Sequence, residues 1–101
     1  MTQQAAPIRF YGTRWCADSL RARRLLEREG VTFEYVDIDA SPEGEALVLR
    51  TNRGNRSVPT IFFPDGSVFV EPGGVRLRGK IDELRTRGLL APSPPPDARP
   101  S

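Results

Sequence analysis

Along most of the chain, apolar residues either alternate with polar ones or recur at helical spacing, and these two periods mark out a series of short elements. Ile8–Tyr11 is a short apolar run that predicts a strand. In Ala17–Glu29 the residues Ala22, Leu25 and Leu26 fall at helical spacing, and Gly30 supplies the stop. Thr32–Ile38 is rich in β-branched and aromatic residues, which predicts a second strand. Ser41-Pro42 opens a second helix: serine caps its free N–H groups and proline takes the first helical position. That helix runs to about Asn52, ahead of Gly54. Thr60–Phe63 and Val68–Val70 flank Pro64-Asp65-Gly66-Ser67, and Asp-Gly between two apolar runs predicts a hairpin. Gly73-Gly74 then breaks the chain. Leu77, Ile81 and Leu84, at i, i+4 and i+7, mark a last helix that ends near Gly88. Gly79 inside it costs about 1 kcal/mol against alanine. The order is β-α-β-α-β-β-α. A crossover helix makes the first two strands parallel, and the hairpin completes a small α/β sheet with helices on its faces.

The 101 residues fit one small domain, expected over 8–90. Residues 1–7 are expected to be flexible, and the proline-rich stretch 91–101, with no apolar face, to be a disordered tail. No segment approaches the roughly 20 apolar residues of a membrane span, so no membrane partner is expected. The N-terminus has neither the basic nor the apolar region of a secretory signal, and the expected location is the cytoplasm. Net charge is only +2, and acidic residues share the same segments as the arginines. That balance gives no reason to expect nucleic acid, and a monomer is the expected state. The chain has no histidine and one cysteine. Those absences exclude Ser-His-Asp and Cys-His catalysis, histidine-ligated metals, a four-thiolate zinc site within one chain and an internal disulfide.

The single cysteine lies between the first strand and the first helix, where backbone N–H groups lack intrahelical partners. The partial positive charge of a helix start favours a thiolate at Cys16, and Arg14, Arg21 and Arg23 add positive potential. Asp18, two residues on, opposes it. Most free cysteines are small buried hydrophobes; a strand-to-helix turn beside an arginine and a tryptophan favours the reactive reading instead. Further along, Pro59 in Ser57-Val58-Pro59-Thr60 cannot donate to a ladder and belongs at a strand start or edge. The ordinary geometry for such a bond is trans. A cis bond would turn the backbone and leave the Val58 N–H and C=O free for an extended ligand.

Trp15-Cys16-Ala17-Asp18-Ser19, followed by Ala22 and Leu25-Leu26, resembles the glutaredoxin pattern C-x-x-C-x-x-A-x-x-L-L with serine in place of the second cysteine. Val36-Asp37-Ile38-Asp39 and Gly54-Asn55-Arg56-Ser57-Val58-Pro59-Thr60 resemble further segments of that family. Trp15-Cys16, Gly54-Asn55-Arg56 and Asp65-Gly66-Ser67 are most similar to the mycoredoxin-like bacterial glutaredoxins. The resemblance implies a thioredoxin-like fold, with a four-stranded mixed sheet, helices on both faces and a cis Pro59 facing the cysteine. It implies thiol–disulfide exchange by a one-cysteine mechanism, in which Cys16 is the nucleophile and Ser19 stands where a resolving cysteine would be. Arg14, Trp15, Asn55, Arg56, the Val58 backbone and Pro59 would form the small-thiol pocket, the arginines gripping a carboxylate. The implied partners are S-thiolated proteins and a small thiol. No cofactor is required beyond that co-substrate: glutathione, mycothiol or bacillithiol. Val75 and Arg76 follow Gly73-Gly74 where glutathione-using members carry acidic residues or a threonine, so the choice of thiol stays open. Two other readings fit one cysteine. One is an iron–sulfur cluster shared across a dimer, as in monothiol members with a C-G-F-S motif, although Ala17-Asp18 replaces Gly-Phe. The other is a non-catalytic module binding an extended peptide beside Pro59.

Overall fold

A computed structural model describes residues 7–90. The expected flexible N-terminal segment, all but Pro7, and the expected disordered tail 91–101 lie outside the described residues. The elements are β1 (Ile8–Gly12), α1 (Ala17–Arg28), β2 (Phe33–Asp37), α2 (Pro42–Thr51), β3 (Thr60–Phe62), β4 (Val68–Val70) and α3 (Gly74–Thr86). Sequence and structure agree on their order, and the bounds differ by a residue or two at the ends. Ser41 caps α2 as its sequence predicts, its Oγ accepting the Gly44 N–H at 3.0 Å. Gly79 does not interrupt α3, because it faces open space on the solvent side of the helix.

The strands lie in the order β2-β1-β3-β4. β1 runs parallel to β2 across the α1 crossover and antiparallel to β3, and the hairpin adds β4 antiparallel to β3. Alternation along β1 sends its side chains to opposite faces. Ile8 and Phe10 join Leu25 and Leu26 of α1 and Leu77, Ile81 and Leu84 of α3 on one face. Tyr11 joins Ile38, just after β2, and Val48 of α2 on the other. The sheet is therefore mixed, four-stranded and covered on both sides, the thioredoxin-like arrangement.

One charged residue sits in the core face of α3. Lys80 occupies the turn between Leu77 and Ile81 and is only 8% exposed. Its ammonium reaches the hairpin carboxylate of Asp65 at 2.6 Å. Asp65 also accepts the Ser67 N–H at 3.0 Å and the Ser67 hydroxyl at 2.6 Å. One carboxylate thus shapes the Asp65-Gly66-Ser67 turn and fastens it to α3. The Lys80 and Ser67 hydrogen bonds hold the Asp65 carboxyl well below the usual carboxylate range.

Strand register decides what meets at the site. Gly12 pairs with Asp37, Tyr11 with Thr60 and Thr60 with Val70. The segments that follow β1 and β2, precede β3 and follow β4 therefore gather at one end of the sheet.

Candidate active site at the end of the sheet

Cys16 is the N-cap residue of α1, with extended backbone geometry, and its carbonyl accepts the Leu20 N–H at 3.0 Å. It is half-buried and free. No side chain caps the first turn of α1, so the helix that starts after Cys16 leaves its first N–H groups without a side-chain partner. Asp18 is engaged by Arg21, one turn on. Arg23 takes a different role from the one its position suggests. It lies over the Tyr35 ring at 4.2 Å and pairs with Glu27 at 3.7 Å.

Ser19, in the first turn of α1, is 1% exposed, and its Oγ accepts the Thr13 N–H at 3.5 Å. The position can be this tight because Gly12 has no side chain. A Cβ on Gly12 would come within 2.9 Å of both Ser19 Oγ and Phe10 Cε1. Gly12→Ala is accordingly expected to destabilise the fold by about 1–3 kcal/mol, the usual cost of overpacking, measured as a lower urea midpoint at unchanged m-value.

The turn after β2 supplies residues that the sequence reading did not single out. Trp15, 73% exposed, donates its indole N–H to Asp39 Oδ2 at 2.7 Å. Arg14 lies 3.6 Å from the Asp37 carboxylate. Asp39 also binds the Arg56 guanidinium, which pairs through Nε with Glu45 of α2 at 2.6 Å. Hydrogen bonds from Arg56 and then Trp15 hold the Asp39 carboxyl below its ordinary range. Glu45 first and Asp39 second raise Arg56 above its own. Both sides of the Arg56 fork are thus occupied by protein carboxylates. The signal for Asp37 and Asp39 was present but indirect. In a parallel pair the loops following both strands emerge at one end, so the turn after β2 must lie beside Arg14-Trp15-Cys16.

The segment leading into β3 closes the site. α2 ends at a left-handed pair, Arg53 and Gly54, with Gly54 at φ +91°. Asn55 Nδ2 then donates to the Asn52 carbonyl at 3.1 Å, and Asn52 Nδ2 to Thr60 Oγ1 at 3.0 Å. Val58 is half-buried against the α2-side core, and Pro59 is buried. The Val58–Pro59 bond is cis, and the Pro59 carbonyl accepts the Glu71 N–H at 2.8 Å. Arg14, Trp15, Cys16, Asn55, Arg56, Val58 and Pro59 thus belong to segments gathered at one end of the sheet, with Ser19 buried behind.

A half-buried cysteine at the N-cap of the first helix, a mixed sheet covered on both faces and a cis proline entering the third strand define a thioredoxin-like redox protein. The sequence profile of the glutaredoxin family matches residues 8–69. The chain belongs to the glutaredoxin family, and it is a thiol–disulfide oxidoreductase. It is 37% identical over 84 residues to a glutaredoxin from Pseudomonas aeruginosa, covering 77% of this chain and 94% of that one. Mycoredoxin 1 of Corynebacterium glutamicum is 32% identical over 78 residues, covering 76% of this chain and 95% of its own. The crystal structure of a buckwheat glutaredoxin–glutathione complex superposes with a TM-score of 0.63 at 20% identity, covering 84% of this chain and 82% of that one. At that identity the likeness is one of fold. No helix among the described residues is long and apolar enough to cross a membrane.

Proposed function

We propose that this chain reduces mixed disulfides between proteins and a small cellular thiol, using Cys16 alone. The observation that carries the reading is the pairing of a half-buried Cys16 at an uncapped helix start with a buried serine at the position of a resolving thiol. The Cys16 thiolate attacks the small-thiol sulfur of the mixed disulfide, and the protein thiolate leaves and takes a proton. A second small thiol, as thiolate, attacks the small-thiol sulfur now bonded to Cys16, releasing the Cys16 thiolate and a small-thiol disulfide. The protein sulfur is reduced and the one incoming small thiol is oxidised, the other small-thiol sulfur passing from one disulfide to the next, so electrons balance without a cofactor.

The proposed small-thiol pocket is bounded by Arg14, Trp15, Asn55, Arg56, the Val58 backbone and Pro59. Trp15 forms its outer wall. Arg14 is the more available cation, since Arg56 already serves Asp39 and Glu45. Glutathione is the ligand of the buckwheat protein. Here Val75 is 90% exposed and Arg76 lies over the Phe69 ring at 3.9 Å, so the first turn of α3 offers no acidic group to an amino end. The test supplies one S-thiolated protein with glutathione, mycothiol or bacillithiol in turn and follows release of the protein thiol. Catalysed release with one of them is the expected result, and release no faster than without the enzyme for all three would refute the reading.

Asp39 is the positioning residue of this pocket. It ties the cysteine loop, through Trp15, to the loop before β3, through Arg56. Trp15 is the sole tryptophan, which makes the tie measurable. Asp39→Ala should increase the amplitude of fast motion in the fluorescence anisotropy decay and raise KM for an S-thiolated substrate several-fold, with little change in kcat. Because Asp39 titrates below its ordinary range, wild-type anisotropy should stay level on acidification through pH 4. Unchanged anisotropy in the variant would show that the indole is not anchored this way.

A further inference from the structure

A groove of about 490 Å³ lies between α1 and the connection from β4 to α3. Asp18, Arg21, Arg24 and Arg28 line one wall, and Glu71 and Gly74 the other. Its near end adjoins the thiol site, since Asp18 is two residues from Cys16 and the Glu71 N–H is bonded to the Pro59 carbonyl. Its far end is cationic.

Seven of the fourteen arginines in the sequence are already committed: Arg14, Arg21, Arg23, Arg56, Arg78, Arg85 and Arg87 each pair with a carboxylate. Arg24 and Arg28 have no such partner among the described residues, and both are exposed along the same groove wall. They are four positions apart on one helix, so their charges add at one place. Charge therefore runs along the groove from the cysteine end, where Glu71 is anionic and Asp18 is paired with Arg21, to cationic groups at the other. Ten helical residues from Asp18 to Arg28 span about 15 Å. An extended peptide covers that length with roughly four or five residues.

We infer that this groove docks the protein substrate, and that it selects an acidic segment lying about three to five residues from the S-thiolated cysteine. The inference rests on the exchange reading given above and names the substrate feature that the same site prefers. Arg24 and Arg28 meet the substrate's carboxylates, while Glu71 disfavours acidic residues immediately beside its cysteine. Exposed pairs contribute modestly each, so the preference is expressed in KM and is sensitive to salt.

The test uses two peptides with one cysteine in mixed disulfide with whichever of glutathione, mycothiol and bacillithiol supports release in the test above, one bearing two Glu residues four and five positions away and the other two Lys. Bis(2-hydroxyethyl) disulfide, which is uncharged and too small to reach the groove, reports exchange alone. The wild-type chain should favour the Glu peptide by about tenfold in kcat/KM at low salt, and the ratio should shrink at 0.5 M salt. Arg24→Glu/Arg28→Glu should reverse the preference and leave the small disulfide unaffected. If that variant does not fold, Arg24→Gln/Arg28→Gln should abolish the preference. Equal rates for the two peptides, or a preference unchanged in the variants, with the small disulfide still turned over, would overturn the docking inference alone. Failure to turn over any of the three disulfides would overturn the exchange reading and this inference with it.

Discussion

Cys16→Ala should bring the reduction of an S-thiolated protein down to the rate seen without enzyme, whichever small thiol is supplied. The substitution removes the one sulfur that can carry the small thiol, and no other residue of the chain can take over. Ser19→Ala is the informative comparison. Ser19 is buried and accepts one long hydrogen bond from the Thr13 N–H, so its loss should cost about 1 kcal/mol of stability and leave turnover within a few-fold. A Ser19→Ala protein as inactive as Cys16→Ala would mean that the serine hydroxyl takes part in the exchange. Mass balance of thiol released against small-thiol disulfide formed, followed for all three proteins, separates these outcomes.

The largest expected effect on stability belongs to the hairpin, far from the thiol. Asp65→Ala leaves the Lys80 ammonium, with its side chain only 7% exposed, without its nearest partner and removes the acceptor for both Ser67 donors. Glu83, at 3.4 Å from the ammonium, offsets part of the loss. The expected cost is about 3 kcal/mol, a fall of roughly 10–20 °C in Tm for a domain of this size. Replacing the pair together, as Asp65→Asn/Lys80→Met, should recover much of it, because no buried charge is then left alone. Calorimetry on the two variants decides the matter; a double variant no better than the single one would contradict the ion-pair account. The same carboxylate gives the chain an acid limit. Its folded pKa is depressed, so its contribution is complete above the unfolded value near 4 and is lost as pH falls below that value towards the folded one.

How much of this was legible in the sequence follows from the range of each interaction. Elements set by local pattern were readable: the Ser41-Pro42 cap, the Asp65-Gly66 turn, and the Leu77, Ile81, Leu84 face of α3. Cys16 at a strand-to-helix turn was readable for the same reason. The cis geometry of Pro59 was not, since the residue types alone favour trans; only resemblance to a family pointed to it. Pairings between distant residues escaped as well. Arg56 reads as a free anion grip until β2 and α2 bring Asp39 and Glu45 against it, 17 and 11 positions away. Lys80 stands between Leu77 and Ile81 in the α3 sequence, and nothing local indicates that Asp65 waits 15 positions upstream. Charge at a core-face position is the signal that was available, and it calls for a partner.

The one-cysteine exchange itself is tested most directly by isolating its intermediate. The reduced protein is mixed with a stoichiometric S-thiolated substrate in the absence of free small thiol, and its intact mass is measured. The account predicts a single adduct of the small thiol on Cys16, formed as the substrate thiol appears and discharged when small thiol is added. A protein left unmodified while the substrate stays thiolated, or one that accumulates as a covalent complex with the substrate that added thiol does not release, would contradict it.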